Sequence, residues 1–368
     1  MAVGVALAVV LAGYGAYATY RVAALSGAPT LTIYTYPSLL GGASCGSPLF
    51  DPVFGAFGRA HHVQVNVLCP SGTLVNALES QRNAPVADVV VGLDEITAPQ
   101  ADGFGLLVPY AAPSLGAIPT GLVDEISPDH AVTPYESGFL GIDYNTSFDA
   151  RLGHAIAGSA FPEFAQNLTW AHDLVVEDPT TDITGEEFLA WQVEFYTQVL
   201  HQDWTGFWKA VDRSVQVAPD WGTAYGEFTA PTNAPPMAVS YLTDPAAAAF
   251  FNASGTFNST VTHWNGTEYG WRAVYGLGIV SGTHHLALDR AFVDWFLSGT
   301  VQRLLPTSEW EIPANATIPL PAAYAAMPNA TMIHALNDGT TPNATAQALT
   351  APTSGWLDQW QQIANAYG

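Results

Sequence analysis

The spacing of apolar and polar positions changes period several times along the chain, and those changes mark out an α/β protein. Residues 31–36 (Leu-Thr-Ile-Tyr-Thr-Tyr) are β-branched and aromatic and stop at Pro37, which predicts a strand with a sharp end. A helix-like segment over 48–61 and a second strand over 63–69 follow. Over 73–82 the period turns helical, with Leu74, Ala77 and Leu78 on one face. Residues 88–93 are nearly all apolar, as expected of a parallel strand buried on both faces. This alternation implies an α/β lobe with right-handed crossovers.

After Tyr110 the texture is that of an Ala-, Pro- and Gly-rich loop up to Pro134, and 138–144 reads as the next strand. A second α/β unit starts there. Its strands are 174–177, 215–219 and 237–242. Its main helix, 185–200, has an apolar face of Phe188, Trp191, Phe195, Tyr196 and Val199. Thr184-Gly185-Glu186-Glu187 fits a capping box that would start this helix. Residues 272–281 form a long apolar strand leading back to the first unit, and 284–297 an amphipathic helix. The expected division is 1–27 (signal or anchor segment and linker), 28–137 (first lobe), 138–270 (second lobe), 271–325 (return to the first lobe) and 326–368. The last part reads as surface loop, rich in Ala, Thr, Pro and Asn, and a closing helix with Trp356, Trp360 and Ile363.

One stretch concentrates the signals of a binding site. Residues 215–228 read as a short strand, a Pro219-Asp220 turn and a helix opening on Trp221. A ring is thereby placed at the C-terminal edge of a strand, beside free helix-start N–H groups, where open α/β sheets hold ligands. Tyr241 takes the equivalent position after 237–240. Tyr36 and Ser38, Ser71 and Gly72, Asp94, Asp182, Tyr225 and Trp310 also follow separate predicted strands or stand at their ends. Strand C-termini converge on one crevice, and rings with a few carboxylates suit a flat heteroaromatic cation.

Charge narrows the partners. Of 368 residues 32 are Asp or Glu but only 9 are Lys or Arg, so the net charge of −23 is mainly a deficit of base. Nucleic acid is excluded as a partner, because phosphate contacts need Lys and Arg. A cationic ligand is compatible, as is a surface tuned for an acidic or surface-layer environment.

Residues 2–20 carry no formal charge and are long enough for a membrane anchor or a signal sequence, with Ala16-Tyr17-Ala18 matching a small-x-small cleavage pattern. Both readings export the body. Eight Asn-x-Ser/Thr sequons, at Asn145, Asn167, Asn252, Asn258, Asn265, Asn315, Asn329 and Asn343, suggest a glycosylated outer surface. The two cysteines, Cys45 and Cys69, have no metal-knuckle spacing; they are either a disulfide or two buried thiols.

Signals for catalysis are weak. Neighbouring histidines (His61-His62, His284-His285) point about 100° apart on a helix and do not face one metal ion. Ser281 lies outside a Gly-x-Ser-x-Gly elbow, and no Gly-rich phosphate loop carries a Lys. A binding protein without enzymatic activity or cofactor is the expectation.

The chain resembles the thiamine-binding substrate-binding proteins of ABC importers. The resemblance is carried by 31–38, by 87–94 (Ala-Asp-Val-Val-Val-Gly-Leu-Asp), by 177–185, by 221–228, by Ser240-Tyr241, by 306–313 (Pro-Thr-Ser-Glu-Trp-Glu-Ile-Pro) and by 356–361. It implies an α/β, two-lobed periplasmic-binding-protein fold (type II, Venus-flytrap), with hinge closure over the ligand and an ABC permease as partner. Tyr36, Trp221, Tyr241 and Trp310 would correspond to the family's ring-contacting aromatics. Ser71-Gly72 stands where the family has an acidic residue followed by Gly, and Pro37 replaces a usual acidic residue. Asp182 and Thr184 lie where the family holds the ligand's phosphate end, and Asp182 would repel a phosphate. The alternatives are a ferric-ion-binding protein of the same fold and a binding-protein fold serving as a glycosylated surface component.

Overall fold

In the computed structural model residues 19–21, 27–42, 44–148, 156–211, 213–252, 255–338, 348 and 355–367 are described. The chain divides into two units, Met1–Ser137 with Val274–Leu320, and Gly138–Ala273 with Pro321–Gly368.

The first unit is built around Val89–Leu93, buried at every position as its apolar run predicts. Thr30–Tyr34 lies parallel to it and to Gln64–Leu68. The latter alternates half-buried and buried positions, the mark of a strand with one face in the core. Arg272–Val280 is added antiparallel to Val89–Leu93, a direction that strand periodicity does not encode. The helix-like segment over 48–61 is three pieces, a 3-10 turn Pro48–Phe50, a wide-wound turn Asp51–Gly55 and the helix Ala56–His61. Phe54 and Phe57 from these pieces pack on Phe292 of the helix Leu286–Phe296, with ring centroids 5.9 and 5.1 Å apart. Each such buried ring contributes roughly 1.5–3 kcal/mol.

Two loop expectations are corrected. The stretch after Tyr110 contains the helix Thr120–Ile126, and the next strand begins at Val132 and runs to Asn145. Residues 132–138 are all buried, so tertiary packing overrides the local break signal of Pro134. Cys45 and Cys69 form a disulfide, with Cα atoms 5.8 Å apart.

In the second unit the strand segment 140–144 pairs antiparallel with Met237–Tyr241, which is parallel to Leu174–Glu177, itself parallel to Gln216–Ala218. The helix Ile183–Glu194 is buried at ten positions and continues as a wide turn, Phe195–Leu200. Phe161, Phe188 and Trp191 make edge-on ring contacts there. The described residues of 326–368 are more than surface. Trp360 of the helix Trp356–Tyr367 packs on Trp208 at 5.9 Å. His334–Ala335 pairs with the hairpin strand Thr267–Gly270, and buried Asn337 bonds both Arg272 backbone groups. That hairpin turns at Asn265-Gly266, both at positive φ. Asn-Gly is the strongest short hairpin signal, here read only as a sequon.

Among the described residues no helix is long and apolar enough to cross a membrane. Residues 1–18, most of the expected anchor, lie outside the described residues, and Thr19–Arg21 is a short strand antiparallel to Gln64–Leu68.

Candidate ligand-binding site

The helix of the second unit's central stretch begins at Trp221, with Asp220 as its N-cap accepting the Thr223 N–H at 2.7 Å. Residues four apart meet on a helix, and Trp221 stacks on Tyr225 with centroids 4.9 Å apart and planes 17° apart. Tyr241, the last residue of its strand, brings a third ring to 6.4 Å from Trp221 at a 56° tilt. All three rings are partly exposed. Two of the polar edges are held. Trp221 Nε1 donates to Ser240 Oγ at 3.0 Å, and the Tyr241 hydroxyl lies 3.1 Å from Thr184 Oγ1.

Asp182 explains how this group is assembled, and it replaces the expected capping box. The N-cap of Ile183–Glu194 is Asp182, whose Oδ1 accepts the Thr184 N–H at 2.9 Å. Its Oδ2 accepts the Trp221 N–H at 3.2 Å. One carboxylate thus ties the starts of two helices. Burial pushes Asp182 up to about 6, against the pull of those N–H groups. Glu187, which the capping box would place at a helix start, is fully buried.

Behind the rings lie carboxyl groups that sequence reading passed over. Ser240 donates a short hydrogen bond to Asp244 Oδ2, which also accepts the Tyr241 N–H at 3.3 Å. Burial, then the nearby Asp244 charge, raises Asp143 well above the usual carboxylate range. Burial, then Asp182 and Asp220, does the same to Glu177. Among the described residues none of Asp143, Glu177, Asp182, Asp220 and Asp244 is ion-paired with Lys, Arg or His. The signal available in the sequence was Ser240 and Asp244 flanking Tyr241, together with the scarcity of base.

The first unit holds a different cluster. Tyr36 donates to Glu309 Oε2 at 3.2 Å and lies 3.1 Å from the buried Tyr135 hydroxyl, which is free to donate back. Burial and the Glu309 charge hold the Tyr36 phenol well above its ordinary value. Burial pushes Glu309 up to about 8, and burial, then Glu309 and Glu311, raises Glu136 well above the usual carboxylate range. Trp310, the residue after Glu309, adopts a left-handed backbone with φ +61°. Gly92 makes room for Tyr36. Its φ is +105°, and a Cβ there would lie 2.4 Å from the Tyr36 ring. Tyr135, Glu136, Glu309 and Gly92 were not singled out in the sequence; Gly92 sits inside one of the stretches that carry the family resemblance, 87–94.

The remaining expected site residues have separate places. Asp94 is fully buried and caps the helix Thr97–Gly103, its Oδ1 accepting from Ile96 N at 3.1 Å and from Thr97 N and Oγ1 at 2.6 Å each. Ser38 precedes the 3-10 turn Leu39–Gly41 without a side-chain cap. Ser71 and Gly72 are exposed, Gly72 at φ +76°. No group of three or more His, Cys, Asp or Glu side chains among the described residues is arranged to hold a metal ion. Asn145, Asn167, Asn252, Asn265 and Asn329 are exposed, Asn258 and Asn315 half-buried, and Asn343 lies outside the described residues.

No family model matches the chain. It is 25% identical over 304 residues to the thiamine-binding periplasmic protein of Brucella suis biovar 1 (strain 1330), covering 81% of this chain and 84% of that one. Among solved structures it matches a periplasmic thiamin binding protein with a TM-score of 0.74 at 20% identity, over 92% of this chain and 98% of that one. It also matches iron-bound HitA from Pseudomonas aeruginosa with a TM-score of 0.68 at 13% identity, over 92% and 99%. The chain is thus similar in sequence to thiamine-binding periplasmic proteins and has the fold of periplasmic binding proteins.

Proposed function

We propose that this protein is an extracytoplasmic solute-binding protein that captures thiamine or a related cationic heterocycle for an ABC permease. The observation that carries this reading is the Trp221–Tyr225–Tyr241 ring group, partly exposed and backed by carboxyl groups that pair with no Lys, Arg or His of the described residues. Each ring–cation contact contributes roughly 0.5–2 kcal/mol. Thr184, whose Oγ1 lies 3.1 Å from the Tyr241 hydroxyl, belongs to the same proposed contact set. In the first unit the proposed contacts are Tyr36, Ser38, Ser71, Gly72, Asp94 and Trp310.

Unphosphorylated ligand is favoured. The Asp182 carboxylate already occupies the Trp221 N–H that a phosphate at this helix start would need. Calorimetric titration with thiamine and thiamine phosphate tests this, with tighter binding of thiamine expected; tighter binding of the phosphate would refute it. An exported body, N-glycans at the exposed sequons and membrane attachment through 2–20 are parts of the same proposal.

Ferric ion is the second reading. The Tyr36, Tyr135 and Glu309 cluster supplies the hard oxygen donors that iron prefers, and the similarity in fold to iron-bound HitA favours asking the question. Metal analysis of the purified protein, with and without added ferric citrate, decides between them.

A further inference from the structure

Resting on the reading that Trp221 meets a cationic ligand, we propose that Asp244, acting through Ser240, is the positioning residue that makes this ring select positive charge. The chain of contacts is continuous. The Trp221 indole N–H donates to Ser240 Oγ at 3.0 Å, and Ser240 donates its single proton to Asp244 Oδ2. Both Ser240 and Asp244 are buried, at 0% and 5% exposure.

The charge state follows from the neighbours. Asp143, on the adjacent strand and fully buried, lies beside Asp244, and two such carboxyls cannot both ionise without a cation. Burial raises Asp244 as well, but Asp244 is the member that accepts from Ser240 and from the Tyr241 N–H, which favour its charged form, so we assign the charge to Asp244 and the proton to Asp143. The groups facing the pair are Tyr225 from the Trp221 helix and Ser259 from the strand Phe257–Thr260. The helix Asp244–Phe250 also packs on the turn Ala322–Ala326, which has no charged residue. No Lys, Arg or His of the described residues pairs with either aspartate.

A buried carboxylate therefore pulls, through one hydroxyl, on the edge of a partly exposed indole. Electron density pushed onto the ring makes its face a stronger partner for a cation and leaves its affinity for a neutral ring little changed.

Asp244→Asn keeps the shape and an acceptor for Ser240 while removing the charge. The probes are thiamine and thiochrome, its planar, uncharged oxidation product. Asp244→Asn should weaken thiamine about tenfold and thiochrome less than about twofold. Equal losses for both ligands, or none for thiamine, overturn the proposal. Trp221→Phe keeps a ring but has no N–H to couple, so adding Asp244→Asn to it should cost thiamine binding nothing further.

If the wild type binds neither probe, the functional reading fails, and the relay is judged without ligand. The near-ultraviolet difference spectrum between wild type and Trp221→Phe isolates this indole. Ser240→Ala and Asp244→Asn should both shift it, and an unshifted spectrum in both overturns the relay.

Discussion

The ring groups of the two units use the same residue types to opposite ends. In the second unit the carboxylates take hydrogen bonds from groups that hold the rings in place. Asp182 accepts from the Trp221 N–H and Asp244 accepts from Ser240, so Trp221, Tyr225 and Tyr241 keep part of their surface open. In the first unit a carboxyl takes the ring's own hydroxyl. Tyr36 spends its proton on Glu309, against Tyr135, in a cluster that also holds the buried Glu136. The second arrangement locks a phenol by its own hydroxyl, although Tyr36, like the three rings of the second unit, is partly exposed. A ring's usefulness as a cation partner is decided by what its polar edge touches.

Substitutions can break this contrast at graded strength. The largest effect is expected in the first unit. Gly92→Ala combines a left-handed backbone with a Cβ 2.4 Å from the Tyr36 ring, and should lower stability by about 3 kcal/mol in chemical denaturation. A loss below about 1 kcal/mol would mean that Tyr36 is free to move away, and the lock would be disproved.

Trp221→Ala should weaken thiamine binding by about 2 kcal/mol in calorimetry while changing the unfolding midpoint little, because the ring is partly exposed. Tyr36→Ala should weaken thiamine binding less, because its hydroxyl is committed to Glu309; an equal loss would place the two ring groups on an equal footing. Asp182→Ala removes the acceptor shared by two helix starts and should cost about 1–2 kcal/mol of stability. Asp182→Asn, which keeps one acceptor oxygen, should lose less.

The smallest effect is a trend with pH. Glu309 sits at about 8 and Asp94 and Asp182 at about 6 in the folded protein, all raised first by burial. Unfolded carboxyls titrate near 4. Between about pH 4 and pH 8 the folded state therefore holds protons that the unfolded chain has lost, and stability falls as pH rises through that window. Denaturation at pH 5 and pH 8.5 should give the higher midpoint at pH 5, and Glu309→Gln should flatten the upper part of the slope. A midpoint that rises with pH would show the buried carboxyls to be ionised throughout.

What the sequence determined by itself was whatever depends on near neighbours in the chain. The apolar run ending at Leu93 must be buried on both faces, and the helix opening on Trp221 follows from a Pro-Asp turn and an N-cap four residues before Ala224. The Trp221–Tyr225 stack is likewise a matter of helical spacing. Family-like stretches in order along the chain added the fold. The tertiary structure alone decided which distant atoms share a proton or a donor. Asp182 reaches Trp221 across 39 residues, and Tyr36 reaches Glu309 across 273. Neither link leaves a periodic trace, because a hydrogen bond between distant segments constrains a single pair of positions. The same holds for the antiparallel entry of Arg272–Val280 and for the Cys45–Cys69 pairing. Residue spacing fixed which rings would stand at strand and helix ends. Burial, and the shortage of basic side chains to offset it, decided what stands behind them.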